Sequence, residues 1–164
     1  MTSPFEEYCI IPLTRGQVTL VNRMDFENLS RYHWYASWDS TINGFYAKRT
    51  KILDGKRVWV KMHREILSLR PGDPQTVDHK NHDTLDNRRN NLRLATHEQQ
   101  RFNQRNRPKS EIGLKGVTRN GSGFQAEITA NGIRMYLGTR RTAEAAHALY
   151  CEAALRLHGE FACF

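Results

Sequence analysis

Between Phe124 and Leu137 apolar and polar residues alternate, and Asn131-Gly132 interrupts the alternation at its centre. Successive side chains of a strand point to opposite faces, and an Asn-Gly pair takes up the positive-φ turn that joins two antiparallel strands. The segment is thereby restricted to a hairpin. Its first strand puts Phe124, Ala126, Ile128 and Ala130 on one face and Gln125, Glu127 and Thr129 on the other; its second separates Ile133, Met135 and Leu137 from Arg134 and Tyr136. A further strand over Lys115 to Arg119 precedes it, turned by Asn120 to Gly123. After Thr142, Ala146, Leu149, Tyr150, Ala153, Ala154 and Leu157 recur at helical spacing until Gly159 stops the helix. That helix is expected to cover the apolar face, leaving Glu127, Thr129, Arg134 and Tyr136 open to a partner such as a DNA groove.

The N-terminal part reads differently. Val18 to Val21, Trp34 to Trp38, Phe45 to Arg49 and Val58 to Met62 are short β-prone runs, with turns at Asn43-Gly44 and Asp54-Gly55. Short helices are expected over Asp25 to Arg31 and His63 to Ser68. Arg70-Pro-Gly-Asp-Pro74 then breaks regular structure.

Because 164 residues suffice for one ordinary domain or a few small modules, no large central core is available. The 38% hydrophobic content is that of a folded chain, while a mean hydropathy of -0.71 makes the exterior very polar. Lys and Arg number 25 against 17 Asp and Glu, a formal +8, which suits a polyanionic partner. Cys9, Cys151 and Cys163 are widely spaced and form no Cys-x-x-Cys pair, so neither a disulfide framework nor a zinc knuckle is indicated and a reducing cytoplasm is expected. The opening MTSPFEEY lacks an apolar run, and no stretch approaches the roughly 20 apolar residues of a membrane span, so neither secretion nor membrane insertion is expected.

The composition changes abruptly at residues 77 to 96, VDHKNHDTLDNRRNNLRLAT. Seven cations lie between Asn87 and Lys109 (Arg88, Arg89, Arg93, Arg101, Arg105, Arg107 and Lys109) against the single acid Glu98. Thr96-x-x-Gln99 has the form of a capping box opening a helix through about Asn103. Phosphodiester hydrolysis needs a base for water and a cation for the phosphate charge, and Asp78-His79 offers both. On a regular strand these neighbours point to opposite sides, so joint service calls for an irregular or twisted strand end. The run DHKNHDTLDNRRNNLR with its Thr-initiated helix resembles the HNH homing endonucleases and their ββα-metal fold, over about residues 58 to 106. The resemblance implies His79 as general base, Asp78 as metal ligand and Asn91 as a brace of the loop. It implies a second metal ligand on the following helix, where Asn or His is common and this chain has Gln100; His97, one turn earlier, is the alternative. Arg88, Arg89 and Arg93 are then expected on the DNA backbone. His82 stands in the same loop, whereas His33, His63, His147 and His158 are read as packing or surface residues.

Residues 113 to 162 resemble the AP2 domain, most strongly in KGV, in the LGT after the third strand and in TAEAAHALYCEAA with its closing glycine. The family's sheet lies in the DNA major groove, which implies contacts from Lys115, Thr118, Glu127, Thr129, Arg134 and Tyr136. Arg119, Arg140 and Arg141 are candidates for phosphate contacts. Thr118, Thr129 and Tyr136 depart from the arginine and tryptophan common in the family, so no base sequence is inferred.

Together these readings predict an α+β chain: a β-rich accessory module (1–57), an HNH nuclease centre (58–106), a linker (107–112) and an AP2-like three-stranded antiparallel sheet packed on one helix (113–164). The expected function is metal-dependent hydrolysis of duplex DNA, with Mg²⁺ first and Mn²⁺ second as the ion, by a homing-type enzyme that is phage-encoded in a bacterial host. No obligate protein partner is indicated. A regulator that binds DNA without cutting it and an RNA-directed protein are the rivals.

Overall fold

The computed structural model describes residues 8–104 and 112–164, and the chain is of the α+β kind. The expected linker lies outside them save for Ile112, as do Arg105, Arg107 and Lys109. Two compact units divide at Ala95/Thr96.

In the first unit, β1 (Tyr8–Pro12) pairs antiparallel with β2 (Val18–Asn22), and α1 (Arg23–Leu29) follows. Strands β3 (Tyr35–Asp39), β4 (Gly44–Leu53) and β5 (Lys56–Lys61) form an antiparallel meander in that order. Asp54 and Gly55 both have positive φ in the β4–β5 turn, as a tight hairpin between right-twisted strands requires. Helix α2 (Met62–Ile66) leads through Arg70 to Pro74 into the hairpin of β6 (Thr76–His79) and β7 (Leu92–Ala95).

One apolar core draws on β1, β2, α1, β4, α2, β6 and β7, with Trp34 before β3: Ile11, Val21, Leu29, Trp34, Ala47, Met62, Ile66, Val77 and Leu92. The boundary expected at residue 57 therefore lies inside a unit whose core draws on both sides of it. Arg49 is buried at 6% exposure among these strands, made tolerable by paired bonds to Glu65 (Nε 3.0 Å, NH2 2.8 Å) and by lying 3.8 Å over the Tyr32 ring.

Some expected bounds shift. Strand β1 went unrecognised because Ile10 (53% exposed) and Ile11 (4%) put apolar residues on both faces, which hides the alternation. Trp34 stands before β3 and donates its indole N–H to Leu29 O at 2.8 Å. Ser68, expected in a helix, has φ of 57°, so the helix ends at Ile66.

In the second unit, α3 (His97–Phe102) begins at Thr96 with the full capping box: Thr96 Oγ1 accepts from Gln99 N, and Gln99 Oε1 accepts from Thr96 N. Strands β8 (Val117–Asn120), β9 (Gly123–Ala130) and β10 (Ile133–Arg140) form an antiparallel sheet with β9 central. Helix α4 (Ala143–His158) packs Ala146, Tyr150, Ala153 and Ala154 on Val117, Ala126 and Ile128, as the alternation predicts. The first strand starts at Val117 rather than Lys115, because Gly116 takes φ of 74° to pass beneath Tyr150; a Cβ there would lie 2.0 Å from that ring. A bulge at Leu137 lets β10 run three residues further than expected.

Candidate active site

Strand β6 ends on Asp78 and His79, and its pairing stays regular to the end: Asp78 faces Arg93 and His79 faces Leu92. The two residues thus keep opposite faces, and the irregularity that the sequence called for is absent from this ladder. The strand stops there, at the start of the loop 80–91, and Asp78 acts on the His79 ring through its charge.

His79 is 5% exposed, and its Nε2 lies 3.2 Å from Asn87 Oδ1. Asn87, fully buried, donates through Nδ2 to Thr19 Oγ1 at 2.8 Å, and the Thr19 hydroxyl reaches Leu85 O at 2.7 Å. A hydroxyl has one proton. With that proton directed at the Leu85 carbonyl, Thr19 must accept from Asn87, which turns the Asn87 amide oxygen towards His79. His79 therefore carries its proton on Nε2 and has a lone pair on Nδ1. Burial is the main cause that lowers its pKa below 6.5, against the bond from Asn87 and the charge of Asp78, so the ring is neutral at neutral pH.

Asn91 ties the loop across its base: its Oδ1 accepts from Asn81 N at 3.0 Å, and its Nδ2 donates to Asp86 O at 2.8 Å. The backbone of β2 holds the far side, with Leu20 N donating to Leu85 O and Asn87 N to Leu20 O. His82 sits at φ of 65°, its N–H donating to His79 O at 3.0 Å.

The three arginines of the motif are each paired with an acid. Arg88 makes two bonds of 2.7 Å to Asp86, Arg89 grips Asp25 at 2.8 and 2.7 Å, and Arg93 directs Nε and NH2 onto Asp78 Oδ2 at 2.8 and 2.7 Å. Burial pushes the Asp86 carboxyl up, yet the bonds from Arg88 and Asn81 outweigh it and hold the pKa below 3.8. Among the described residues no three His, Cys, Asp or Glu side chains gather as a ready cation cage. Asp78 offers one carboxylate, a donor set that fits a hard ion keeping several waters, such as Mg²⁺, and not a structural zinc.

Two neighbours of His79 went unforeseen. His63 on α2 is 4% exposed and stands edge-on to the His79 ring at 5.1 Å; burial, then the neighbouring His79, keep its pKa well below 6.5. Tyr46 on β4 lies 6.3 Å from His79 and 5.3 Å from His63.

The remaining expected residues belong to the second unit. His97 is exposed and Gln100 half-buried on α3. Register puts Thr129 opposite Arg134 and Glu127 opposite Tyr136 on the face away from α4. That face is engaged by its own polar groups: Arg134 pairs with Glu127, Gln125 donates to Glu127, and Tyr136 bonds Thr139. It is also less open than expected, because Glu98 and Arg101 of α3 line one cleft of about 450 Å³ with Thr118, Thr129 and Arg134. Lys115 donates to Phe102 O and Gln104 O at 2.6 and 2.7 Å, capping the end of α3. Arg119 lies 5.2 Å over the Phe124 ring, register sets Arg140 opposite Phe124 at the same end of the sheet, and Arg141 is exposed just beyond β10.

The sequence profile of a family described as HNH endonuclease matches residues 70–101, the stretch that contains β6, the loop and β7. A protein of Acanthamoeba polyphaga mimivirus, named as an uncharacterized HNH endonuclease, is 36% identical over 153 residues, covering 90% of this chain and 74% of that relative. No solved structure matches the chain. The buried, oriented histidine at the end of β6 and a relative that shares most of the chain agree: the chain belongs to the HNH endonuclease family and is a nuclease.

Proposed function

We propose that the chain cuts duplex DNA by hydrolysis with His79 as general base. The observation that carries this reading is the Leu85–Thr19–Asn87–His79 chain, which supplies a neutral imidazole in one tautomer. Nδ1 takes the proton of the attacking water as its oxygen bonds to phosphorus. The bond to the 3′ oxygen breaks, and that oxygen takes a proton from solvent water, leaving 5′-phosphate and 3′-hydroxyl ends. Nε2–H stays on Asn87 throughout, and the resulting imidazolium shares its charge with that amide oxygen. Asn91 keeps the loop closed around this arrangement. Asp78, oriented by Arg93, would hold a divalent cation, Mg²⁺ foremost, which supplies positive charge to the phosphate and leaving oxygen.

The C-terminal sheet and helix are read as an AP2-like module for double-stranded DNA, on the strength of the sequence motifs and the three-stranded sheet backed by α4. A homing role in a mobile or phage-borne element fits the same resemblance, and the viral source of the relative is in keeping with it.

Supercoiled plasmid incubated with the wild-type chain and with His79→Ala, in Mg²⁺, Mn²⁺ or EDTA, tests the reading. Nicked or linear product that requires metal and is lost in His79→Ala is expected. Intact plasmid under every metal, with DNA binding retained, would replace the reading by that of a regulator.

A further inference from the structure

The three-stranded sheet of the first unit has one face turned to its core through Ala36, Ala47 and Arg49. On its other face Tyr46 packs against His63 and His79, while Trp59 further along is exposed. Across this face Tyr35, Lys48 and Lys61 stand directly opposite one another on β3, β4 and β5, a row about 10 Å wide at ordinary strand spacing. Two positions from Lys61 on the same face of β5 is Trp59, 64% exposed, with Tyr35 edge-on at 5.9 Å to hold the indole upright. In the other direction the Lys61 ammonium lies 4.1 Å over the ring of Tyr46, the residue beside His79. The strip therefore runs without a break from the candidate base to an exposed tryptophan.

It is also concave. Tyr35, Lys48, Trp59 and Lys61 line a cleft of about 560 Å³ whose far wall is the Pro71–Asp73 turn. Arg64 builds that wall, donating to the carbonyls of Gln75, Arg70 and Asp73. Asp73 turns a carboxylate oxygen back onto Arg70 N, which takes its charge into the turn. Among the described residues Lys48 has no ion-pair partner, and burial, then the neighbouring Lys48, lower the pKa of Lys61 against the charge of Asp39. Two crowded cations and an upright, solvent-facing indole are complementary to a chain of phosphates and bases. A paired base has its π faces covered by its neighbours in the stack, so only an unpaired base can lie on Trp59.

We propose that this strip holds unpaired nucleotides of the DNA strand adjoining the bond cut at His79, with Lys48 and Lys61 on phosphates and a base stacked on Trp59. The proposal rests on the reading of His79 as the cleavage centre for its direction, but its test is one of binding. Full-length His79→Ala protein is titrated with a fluorescein-labelled oligothymidylate of roughly 20 nucleotides, longer than one binding site. Adding Trp59→Ala is expected to weaken binding by about tenfold, the usual loss of one base stack, and Trp59→Tyr to restore most of it. Lys48→Gln is expected to reduce the slope of log affinity on log salt by about 0.7, one single-strand phosphate. Failure of the parent to bind the oligothymidylate, or unchanged affinity in Trp59→Ala with an unchanged slope in Lys48→Gln, overturns the proposal. If wild type leaves plasmid intact while these binding losses appear, the strip stands and the cleavage reading falls.

Discussion

The proton on Nε2 of His79 is assigned through Asn87, so Asn87→Asp is the perturbation that addresses it most directly. The substitution is close to isosteric in a site with no exposure, and the new carboxylate still accepts from Nε2. What changes is charge. A unit charge at 3.2 Å favours the imidazolium by about 5 kcal/mol at an effective dielectric of about 20, between three and four pKa units. Burial of the carboxylate works against its ionisation, so a rise of about 1 to 3 units in the His79 pKa is expected. The base acts in its neutral form, hence activity is lost as pH falls through this pKa. In the wild type that limb lies on the acid side of 6.5, because burial lowers the pKa. In Asn87→Asp it moves up across neutrality: plasmid cutting drops at pH 7 and recovers by about pH 9. Recovery at high pH separates the effect from misfolding, which no titration would reverse. An acid limb that stays in place, in a variant whose thermal unfolding resembles the wild type, would refute the assigned tautomer and the role of Asn87.

Asn91→Ala removes both ties across the loop and is expected to destabilise the chain by about 2 to 3 kcal/mol, read from urea unfolding. Gly116→Ala meets Tyr150 and a positive φ together, so a loss of about 2 kcal/mol or more is expected by the same measurement, with wild-type stability as the contrary result. Stability should also fall on acidification. His63, His79 and His158 have folded pKa values below the 6.5 of the unfolded chain, so from 6.5 downwards the unfolded state binds more protons, while above that range these groups contribute no slope. A urea midpoint at pH 5 equal to that at pH 7.5 would contradict this.

The elements most legible in the sequence are those whose signals are local. The alternation around Asn131-Gly132, the capping box at Thr96 and the helical spacing after Thr142 each involve residues a few positions apart, and each appears in the structure. The Asp78-His79 pair and Asn91 could be named from the motif in the same way. Their surroundings could not. Thr19 supports Asn87 from 68 positions away, and Tyr46 and His63 reach His79 from strands and helices that carry no mark of it in their own sequence. Only the shared core of the first unit brings these residues together.

Charge shows the same limit more sharply, and with a consequence for DNA. The run Arg88, Arg89, Arg93 is expected on the DNA backbone, yet the sequence does not show how it is paired: Asp86 is two residues from Arg88, while Asp25, the partner of Arg89, lies 64 residues away. In the fold Arg49, Arg88, Arg89, Arg93 and Arg134 face Glu65, Asp86, Asp25, Asp78 and Glu127. An arginine in a two-bond pair must release a carboxylate to reach a phosphate, whereas a lysine without such a partner gives up only water. The excess of +8 is therefore most readily available where lysines stand apart from acids. Lys48, and Lys61, which the Asp39 charge reaches without an ion pair among the described residues, meet that condition better than the arginines of the motif. The density of cations along a sequence thus locates the scaffold of this site, while the cations left over by folding locate the surface on which a phosphate backbone can lie.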